Sequence, residues 1–187
     1  EIRASDWSSD VCSSDLQPWS LQDIWSYSRV NIDEYTETYS APFYLYYSLQ
    51  WPQLHWTTRN NSGTIVGYIL GSAKTKNEEE ISGHVTAVTV CEEYRRLGIA
   101  SMLISMLEKA SDSYYKAHYV DLFVRPTNTM AHQLYFKLGY ILYRRIINYY
   151  ETIGEDGFDM RKSMSRDKEK KFMIPLDRPV SKDEIDD

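Results

Sequence analysis

Residues 86–100 have the sequence Thr-Ala-Val-Thr-Val-Cys-Glu-Glu-Tyr-Arg-Arg-Leu-Gly-Ile-Ala. This stretch is typical of a buried strand that passes through a tight basic turn into a helix. The first N–H groups of a helix lack intrahelical partners and carry partial positive charge, so they attract anions. Gly98 lets the backbone approach an anion closely, and the small side chain of Ala100 leaves room for it. The segment therefore predicts an anion-binding turn that contains Arg95 and Arg96.

The spacing Arg95-x-x-Gly98-x-Ala100 resembles the loop with which the GNAT acetyltransferase superfamily binds the pyrophosphate of acyl-CoA. An ordinary helix start with two arginines on its solvated face would contain similar residues. The hexapeptide alone does not separate these interpretations, so the rest of the chain has to decide between them.

The composition indicates one soluble domain that binds neither nucleic acid nor membrane. The chain has 187 residues, a formal net charge of -6 and an isoelectric point near 5.3. Its apolar runs fall short of the roughly 20 residues needed to span a bilayer. Its basic residues alternate with acidic ones, unlike a phosphate-backbone site. Cys12 and Cys91 are the only cysteines, so we expect no disulfide framework, no metal site and a reducing intracellular setting.

The chain divides into three segments. Residues 1–15 are polar and repeat Ser-Ser-Asp without helical or strand periodicity, which indicates a leader that is either non-native or disordered. Residues 16–164 form the predicted domain. Residues 165–187 are a polar tail with an apolar island at 172–176, and we expect this tail to be partly disordered unless a partner binds it.

Apolar periodicity and turn residues predict the elements of the domain. The first helix begins at Ser20 and has a predicted buried face of Leu21, Ile24, Trp25 and Ser28. The helix after residue 98 buries Ile99, Met102, Leu103, Met106 and Leu107. The predicted strands are 16–19, 54–58, 64–70, 84–90, 119–124, 140–149 and 158–164, and the predicted helices begin at residues 20, 42, 99 and 128. The order β, α, α, three β, α, β, α, β, β is that of a GNAT domain. It predicts an α/β fold with a central mixed, mostly antiparallel sheet flanked by helices.

Several motifs resemble the catalytic subunits of NatB-type N-terminal acetyltransferases, and the similarity covers residues 16–185. They are Thr36-Glu37-Thr38-Tyr39, Ala41-Pro42-Phe43-Tyr44-Leu45, Gly83-His84-Val85-Thr86-Ala87, Val120-Asp121-Leu122-Phe123-Val124-Arg125, Leu138-Gly139-Tyr140, Tyr149-Tyr150, Asp159-Met160-Arg161-Lys162 and the tail segment 170–176.

The resemblance implies acetyl transfer from acetyl-CoA, without a metal, to the α-amine of proteins that begin Met-Asp, Met-Glu, Met-Asn or Met-Gln. The amine would attack directly in a ternary complex. The family also works with a large helical-repeat auxiliary subunit, which carries it to the ribosome, so we expect a cytoplasmic, ribosome-associated protein. The aromatic segment 43–49 with Ile24, Trp25, Trp51 and Trp56 is the predicted partner surface. Core packing explains some of these residues equally well.

For acetyl-CoA, the resemblance selects the strand, the turn and the helix that begins at residue 128. The predicted cofactor-binding residues are Val88, Val90, Arg95, Arg96, Leu97, Gly98, Ile99, Ala100, Ser101, Asn128 and Tyr135. Backbone N–H groups of residues 88–90 would stabilise the oxyanion if the strand separates from its neighbour, whereas an ordinary paired strand is the alternative. Tyr135 is the candidate general acid for the leaving thiolate, or else a core aromatic. Asn128 caps the helix, contacts the cofactor, or does both.

For the acceptor, the predicted substrate-binding residues are Glu37, Tyr39, His84, Thr86, Ala87, Tyr149 and Tyr150. Glu37, His84 and Tyr149 all remain candidates for removing the amine proton, directly or through water. The family match assigns His84 to recognition of substrate position two first and to base work second, while a structural histidine is the alternative. Glu37 and Tyr39 are otherwise solvated loop residues. Tyr149 and Tyr150 point to opposite faces of a regular strand, so we predict that the strand ends or twists there.

Two other functions stay open at the level of sequence. The first is a GNAT enzyme that acetylates another amine, such as lysine or a small molecule. The second is a catalytically silent GNAT-fold module that only binds a partner.

Overall fold

The computed structural model describes residues 16–33, 35–77 and 80–185, and the predicted leader with Cys12 lies outside them. Within these residues, the chain forms seven strands and four α-helices. The strands are β1 (Leu16–Pro18), β2 (His55–Arg59), β3 (Ile65–Asn77), β4 (Glu80–Val90), β5 (Tyr119–Val124), β6 (Ile141–Tyr150) and β7 (Glu155–Ser163). The helices are α1 (Tyr27–Val30), preceded by a 3₁₀ turn at Leu21–Ser26, α2 (Ala41–Gln50), α3 (Ile99–Ser113) and α4 (Thr129–Lys137).

The strands form one sheet in the order β1-β2-β3-β4-β5-β7-β6. The β4–β5 pair is parallel, and the other neighbouring pairs are antiparallel. The predicted element order and the mixed, mostly antiparallel sheet flanked by helices are therefore confirmed. None of the helices in the described ranges is long and apolar enough to cross a bilayer.

β3 and β4 extend well past the predicted strands at 64–70 and 84–90. In the extended part, α3 packs closely on two glycines. A Cβ atom at Gly71 would lie 2.5 Å from Leu107 Cδ1 and 2.7 Å from the carbonyl oxygen of His84. At Gly83 it would collide with Ser111, which is fully buried on α3. These glycines look like strand breakers in the sequence, yet they provide the space in which the helix meets the sheet.

The buried face of α3 is rotated relative to the prediction. Ile104 is fully buried together with Ile99, Leu103 and Leu107, whereas Met102 and Met106 are only half-buried. The 3.6-residue period was right, but both methionines lie at the edge of the contact.

The predicted face of the first helix is wrong. Asp23, Tyr27 and Val30 are buried there, whereas Leu21 is exposed and Trp25 is 80% exposed. Asp23 goes inside because its carboxylate forms an ion pair with the Arg59 guanidinium and accepts the Ser20 N–H. An internal ion pair overrides the hydrophobicity pattern, since a buried carboxylate needs a partner.

A buried hydrogen-bond network joins α1 and α2 to the sheet. The His55 ring is fully buried, with Nε2 2.6 Å from the Tyr27 hydroxyl and Nδ1 against the Ser48 hydroxyl. Burial lowers the pKa of His55 to about 3, so this imidazole stays neutral. The Tyr44 hydroxyl continues the network to Tyr68 at 3.1 Å. Tyr44 of α2 therefore belongs to the core, whereas Phe43 and Tyr47 are half-buried and Tyr46 is 55% exposed.

The tail packs against the domain as far as Ile185, and its partial disorder in the absence of a partner stays a prediction. Asp167 is buried, and its carboxylate accepts the N–H groups of Lys171 and Phe172. Val180 forms a parallel bridge with Ile146 of β6. Local capping and a few apolar anchors thus hold a segment that composition alone suggests is mobile.

Replacing Gly71 by Ala should destabilise the fold by about 1–3 kcal/mol, because the new methyl group overpacks the α3–sheet contact. The measurement is urea unfolding at equilibrium. Lys109→Ala is the matched control, since Lys109 lies on the exposed side of the same helix and should change stability by no more than about 0.5 kcal/mol. Equal stability of Gly71→Ala and wild type would contradict the close packing.

Candidate functional site

β4 and β5 separate halfway along the sheet. Their parallel pairing runs from Ser82↔Tyr119 to Val85↔Leu122. Beyond Val85, β4 stays paired with β3 as far as Val90, while β5 stays paired with β7 as far as Val124. A gap therefore opens between the two strands, as the predicted oxyanion site requires.

The backbone of β4 directs N–H groups into this gap. Thr86 is an extra residue in the ladder, because Leu70 pairs with Ala87 and Gly71 pairs with Val85. The Cys91 N–H donates to the Val66 carbonyl on the β3 side at 2.8 Å. Since successive residues of a strand point their N–H groups to alternate sides, those of Val88 and Val90 face the gap. Their role as oxyanion donors stays a prediction.

The turn after β4 leaves the start of α3 open. Gly98 precedes the helix with φ 85° and ψ 0°, and Arg96 also has a positive φ of 67°. Gly98 has no side chain to cap the helix, and the Met102 N–H donates to the Gly98 carbonyl at 3.0 Å. The N–H groups of residues 99–101, the first three of the helix, are thus available to an anion. Positive φ at alternate residues also favours a concave array of N–H groups.

The two arginines of the turn behave differently. The Arg95 guanidinium pairs with the Asp33 carboxylate, and its Nε–H donates to the Val90 carbonyl at 3.3 Å. Arg95 therefore fixes the turn to the loop before α2, while the Arg96 side chain is exposed. Leu97 packs against the main hydrophobic core and lies outside the cleft lining, because its backbone position directs its side chain inward.

A single cleft of about 1210 Å³ contains the gap, the turn and the loop between α1 and α2. Apart from Leu97, every predicted site residue lines it. These residues are Glu37, Tyr39, His84, Thr86, Ala87, Val88, Val90, Arg95, Arg96, Gly98, Ile99, Ala100, Ser101, Asn128, Tyr135, Tyr149 and Tyr150. Their individual roles remain predictions.

His84 is held by a carboxylate that the sequence interpretation did not assign. The parallel register places His84 beside Asp121, and Nδ1 lies 2.7 Å from Asp121 Oδ1. A carboxylate only accepts hydrogen bonds, so Nδ1 carries the proton and Nε2 is left for the cleft. The Phe123 ring packs against the imidazole with centroids 5.0 Å apart. Asp121 and Phe123 belong to a quoted motif, but only the strand register reveals their contact with His84.

Tyr135 and Asn128 lie on the α4 side of the cleft. Tyr135 is buried, and burial raises the pKa of its phenol to about 12, so the hydroxyl remains protonated at neutral pH. Asn128 Oδ1 accepts the Ala131 N–H at 3.2 Å, so Asn128 is a helix cap. It also lines the cleft. Capping and a cofactor contact are therefore compatible.

The loop before α2 closes the cleft from the other side. Glu37 Oε1 accepts a hydrogen bond from Arg125 at 2.9 Å, and the Arg125 guanidinium also lies over the Tyr150 ring at 4.9 Å. The Tyr39 hydroxyl lies 3.5 Å from the Thr86 carbonyl. Burial, followed by the Glu37 charge, raises the pKa of Tyr39 to about 12. Arg125 was quoted in a motif without a role, and here it links the loop to β5.

The predicted distortion at Tyr149 and Tyr150 is confirmed. Pairing with β7 jumps from Ile146↔Gly157 to Tyr150↔Glu155, and Asn148 has a positive φ of 49°. This bulge lets both tyrosines line the cleft. Burial raises the pKa of the Tyr150 phenol, so this hydroxyl also stays protonated.

The residues that the structure describes contain no group of three or more His, Cys, Asp or Glu residues suited to a metal ion. The cleft lining offers backbone N–H donors, tyrosine hydroxyls, one imidazole, the carboxylates of Asp33 and Glu37, and several arginine and lysine side chains. Such a set suits recognition of an anion and stabilisation of developing negative charge.

Comparisons with known proteins agree with this geometry. Residues 22–140 match the acetyltransferase (GNAT) family. The chain is 46% identical to the N-terminal acetyltransferase B complex catalytic subunit NAA20 of Arabidopsis thaliana, over 91% of this chain and 97% of that protein. It is 45% identical to N-alpha-acetyltransferase 20 of Dictyostelium discoideum, over 84% of this chain and 90% of that protein.

Solved structures give the same relationship. Naa20 of Chaetomium thermophilum in complex with a bisubstrate analogue superimposes with a TM-score of 0.82 at 35% identity, over 89% of this chain and 96% of that one. A NatB acetyltransferase complex bound to a bisubstrate inhibitor gives a TM-score of 0.79 at 33% identity, over 91% and 98%. The similarity therefore spans the whole domain and most of the tail.

Removing the carboxylate of Asp121 should allow the neutral His84 ring to adopt the other tautomer. In wild type, ¹⁵N NMR of the neutral ring should show the Nδ1–H form, and Asp121→Ala should shift the ring toward the Nε2–H form. Asp121→Asn should retain much of the wild-type signal, because its amide oxygen can still accept. His118 is an internal reference of the opposite tautomer, since its Nδ1 accepts the Ile81 N–H at 3.2 Å. An unchanged His84 signal in Asp121→Ala would show that Asp121 does not set the tautomer.

Proposed function

We propose that this chain uses its cleft to acetylate protein N-termini, because it belongs to the GNAT acetyltransferase family and, within it, to the NatB-type catalytic subunits. The enzyme is an N-terminal α-amino acetyltransferase. The proposed acceptors are chains that begin Met-Asp, Met-Glu, Met-Asn or Met-Gln. The observation that carries the proposal is the gap between β4 and β5, which ends at the uncapped start of α3 and faces His84, Tyr39 and Tyr150.

Acetyl-CoA fits the donor side of the cleft. The N–H groups at the start of α3 and the positive φ of Gly98 suit a pyrophosphate, which needs several donors and close backbone approach. Arg96 adds positive charge at the surface, and Asn128 lines the opposite side. Arg95 contributes by holding the turn in shape through Asp33 rather than by reaching a phosphate. When bound, acetyl-CoA supplies the activated acetyl group.

The reaction joins the acceptor nitrogen to the acetyl carbon, breaks the carbon–sulfur bond and transfers one proton from the amine side to the thiolate side. The Val88 and Val90 N–H groups face the position where the carbonyl oxygen would gain charge. We assign Tyr135 as the proton donor to the leaving sulfur, because burial raises the pKa of its phenol to about 12 and so keeps the proton on the hydroxyl at neutral pH.

The free nitrogen of His84 restricts this residue to one task at a time. Nδ1 is bound to Asp121, so Nε2 alone faces the cleft. We assign Nε2 to substrate position two, where it donates to Asp or Glu when protonated and accepts from the amide of Asn or Gln when neutral. The amine proton then leaves toward water beside the Glu37 carboxylate, whose Oε1 accepts from Arg125.

The pocket for the initiating methionine lies among stacked aromatic rings. Phe43 stacks on Tyr39 with centroids 4.2 Å apart and on Tyr47 with centroids 4.3 Å apart, and all three rings line the cleft. A flexible thioether packs well against such rings. These contacts support selectivity for Met at substrate position one.

A helical-repeat auxiliary subunit is the proposed partner, and it would bring the enzyme to the ribosome in the cytoplasm. Relatives of this chain are named as subunits of an N-terminal acetyltransferase B complex. Trp25, Leu21, Ile32 and Leu49 are exposed large apolar residues near α1 and α2. A patch of this kind supports a protein partner on that side.

Acceptor preference tests the proposal directly. The chain purified with its auxiliary subunit should acetylate a peptide beginning Met-Asp with kcat/KM on the order of a hundredfold above that for an N-terminally blocked peptide with internal lysines. Mass spectrometry locates the acetyl group. Faster modification of lysine would favour a different GNAT activity. Calorimetry that detects no acetyl-CoA binding would instead indicate a silent module.

Tyr135→Phe tests the proposed acid. Loss of a general acid should lower kcat by about a hundredfold while KM for both substrates changes little. Tyr114→Phe is the matched control, because Tyr114 is exposed at the end of α3. Turnover equal to wild type in Tyr135→Phe would remove this residue from the mechanism.

A further inference from the structure

The tail occupies the outer edge of β6, the last strand of the sheet. The Leu176 N–H donates to the Tyr143 carbonyl at 2.7 Å, and the Val180 N–H donates to the Arg145 carbonyl at 2.9 Å. The Ile147 N–H in turn donates to the Val180 carbonyl at 2.9 Å. The tail therefore adds backbone pairing to alternate residues of β6, up to the point where the strand bulges.

The last of these hydrogen bonds lies at the bulge itself. Between Ile146 and Tyr150 the register with β7 shifts, and Asn148 takes a positive φ. A positive φ is uncommon outside glycine, although Asn tolerates it better than most residues. The Val180 carbonyl satisfies the Ile147 N–H next to this residue, and the Asp156 carboxylate accepts the Asn148 N–H at 2.7 Å. The tail and β7 thus each supply a hydrogen-bond acceptor to the bulge.

Apolar contacts connect the tail to the cleft. Val180, Ile185 and Ile146 form a small buried cluster, with Phe123 and Tyr149 packed against it. The Phe123 ring lies 4.9 Å from the Tyr149 ring and 5.0 Å from the His84 ring. One continuous set of contacts therefore runs from Val180 to the imidazole in the cleft.

Lys182 brings the tail to the cleft rim. Its ammonium group forms an ion pair with Glu151 Oε1 at 2.8 Å and lies 5.8 Å from the centre of the Tyr149 ring. Glu151 follows directly after the two tyrosines. Lys182 is also part of the cleft lining, so the tail reaches the same rim as Tyr149.

We propose that residues 176–185 are a positioning element of the acceptor side of the cleft, with Val180 as its central residue. The element fixes the β6 bulge so that Tyr149 and Tyr150 both face the acceptor, and it supports Phe123 beneath His84. The donor side is independent of it, because the turn at Gly98 lies on the opposite side of the β4–β5 gap. The assignment of an acceptor rests on the proposed function, whereas the effect on the bulge does not.

The first test compares the complex containing the full chain with one in which residues 177–187 are deleted, and with Val180→Ala. Peptide KM should rise about tenfold in the deletion, since loss of one or two hydrogen bonds and an apolar anchor misplaces the tyrosines. The acetyl-CoA dissociation constant should stay within about twofold of wild type. Val180→Ala should raise peptide KM in the same direction as the deletion, whereas Val180→Ile, which keeps an apolar anchor, should keep peptide KM near that of wild type. Lys168→Ala is the control, because Lys168 is an exposed tail residue outside the proposed element.

Unchanged peptide KM in the deletion would overturn the proposal. A parallel loss of peptide and acetyl-CoA binding would also overturn it, because a general loss of structure affects both sides. Hydrogen exchange of residues 147–150 supplies a readout without activity, and it should accelerate in the deletion but not in Lys168→Ala. Unchanged exchange refutes the tail's effect on the bulge. A wild-type complex that acetylates no Met-first peptide refutes the proposed function instead.

Discussion

The separation of β4 from β5 is the constraint on which the rest of this structure depends. A backbone N–H buried without a partner is costly, so strands that part inside a sheet normally have to regain their hydrogen bonds elsewhere. Here the parting opens a cleft instead, and the N–H groups of Val88 and Val90 face it. Their position in the gap is the basis of the role proposed for them toward a carbonyl oxygen.

Close packing of α3 on the sheet fixes the position of the helix start relative to the gap between β4 and β5. Gly71 and Gly83 let α3 approach β3 and β4, so the start of the helix lies at the end of the opening. Arg95 then binds both Asp33 and the Val90 carbonyl. The donor turn, the acceptor loop and the parted strand are thereby coupled through one guanidinium group, which explains why an arginine in this turn is used internally.

Local patterns predicted the elements, whereas contacts between distant segments escaped them. Periodicity and turn residues identified the order of strands and helices along the chain and the basic turn, because both depend on neighbouring residues. The buried Asp23 and the exposed Trp25 were missed, since the deciding partner, Arg59, is on another strand. The His84–Asp121 pair likewise depends on a parallel register that one sequence does not reveal. In the site, residue positions were predictable from family resemblance, but their partners required three-dimensional packing.

The two outer edges of the sheet differ from an ordinary strand edge. β1 is only three residues long and includes Pro18, which has no N–H to offer. β6 is covered by the tail along Tyr143, Arg145 and Ile147. Bare strand edges recruit other chains and promote aggregation. The segment that shapes the acceptor side of the cleft therefore also closes the sheet to strand addition, so solubility and acceptor geometry depend on the same few residues.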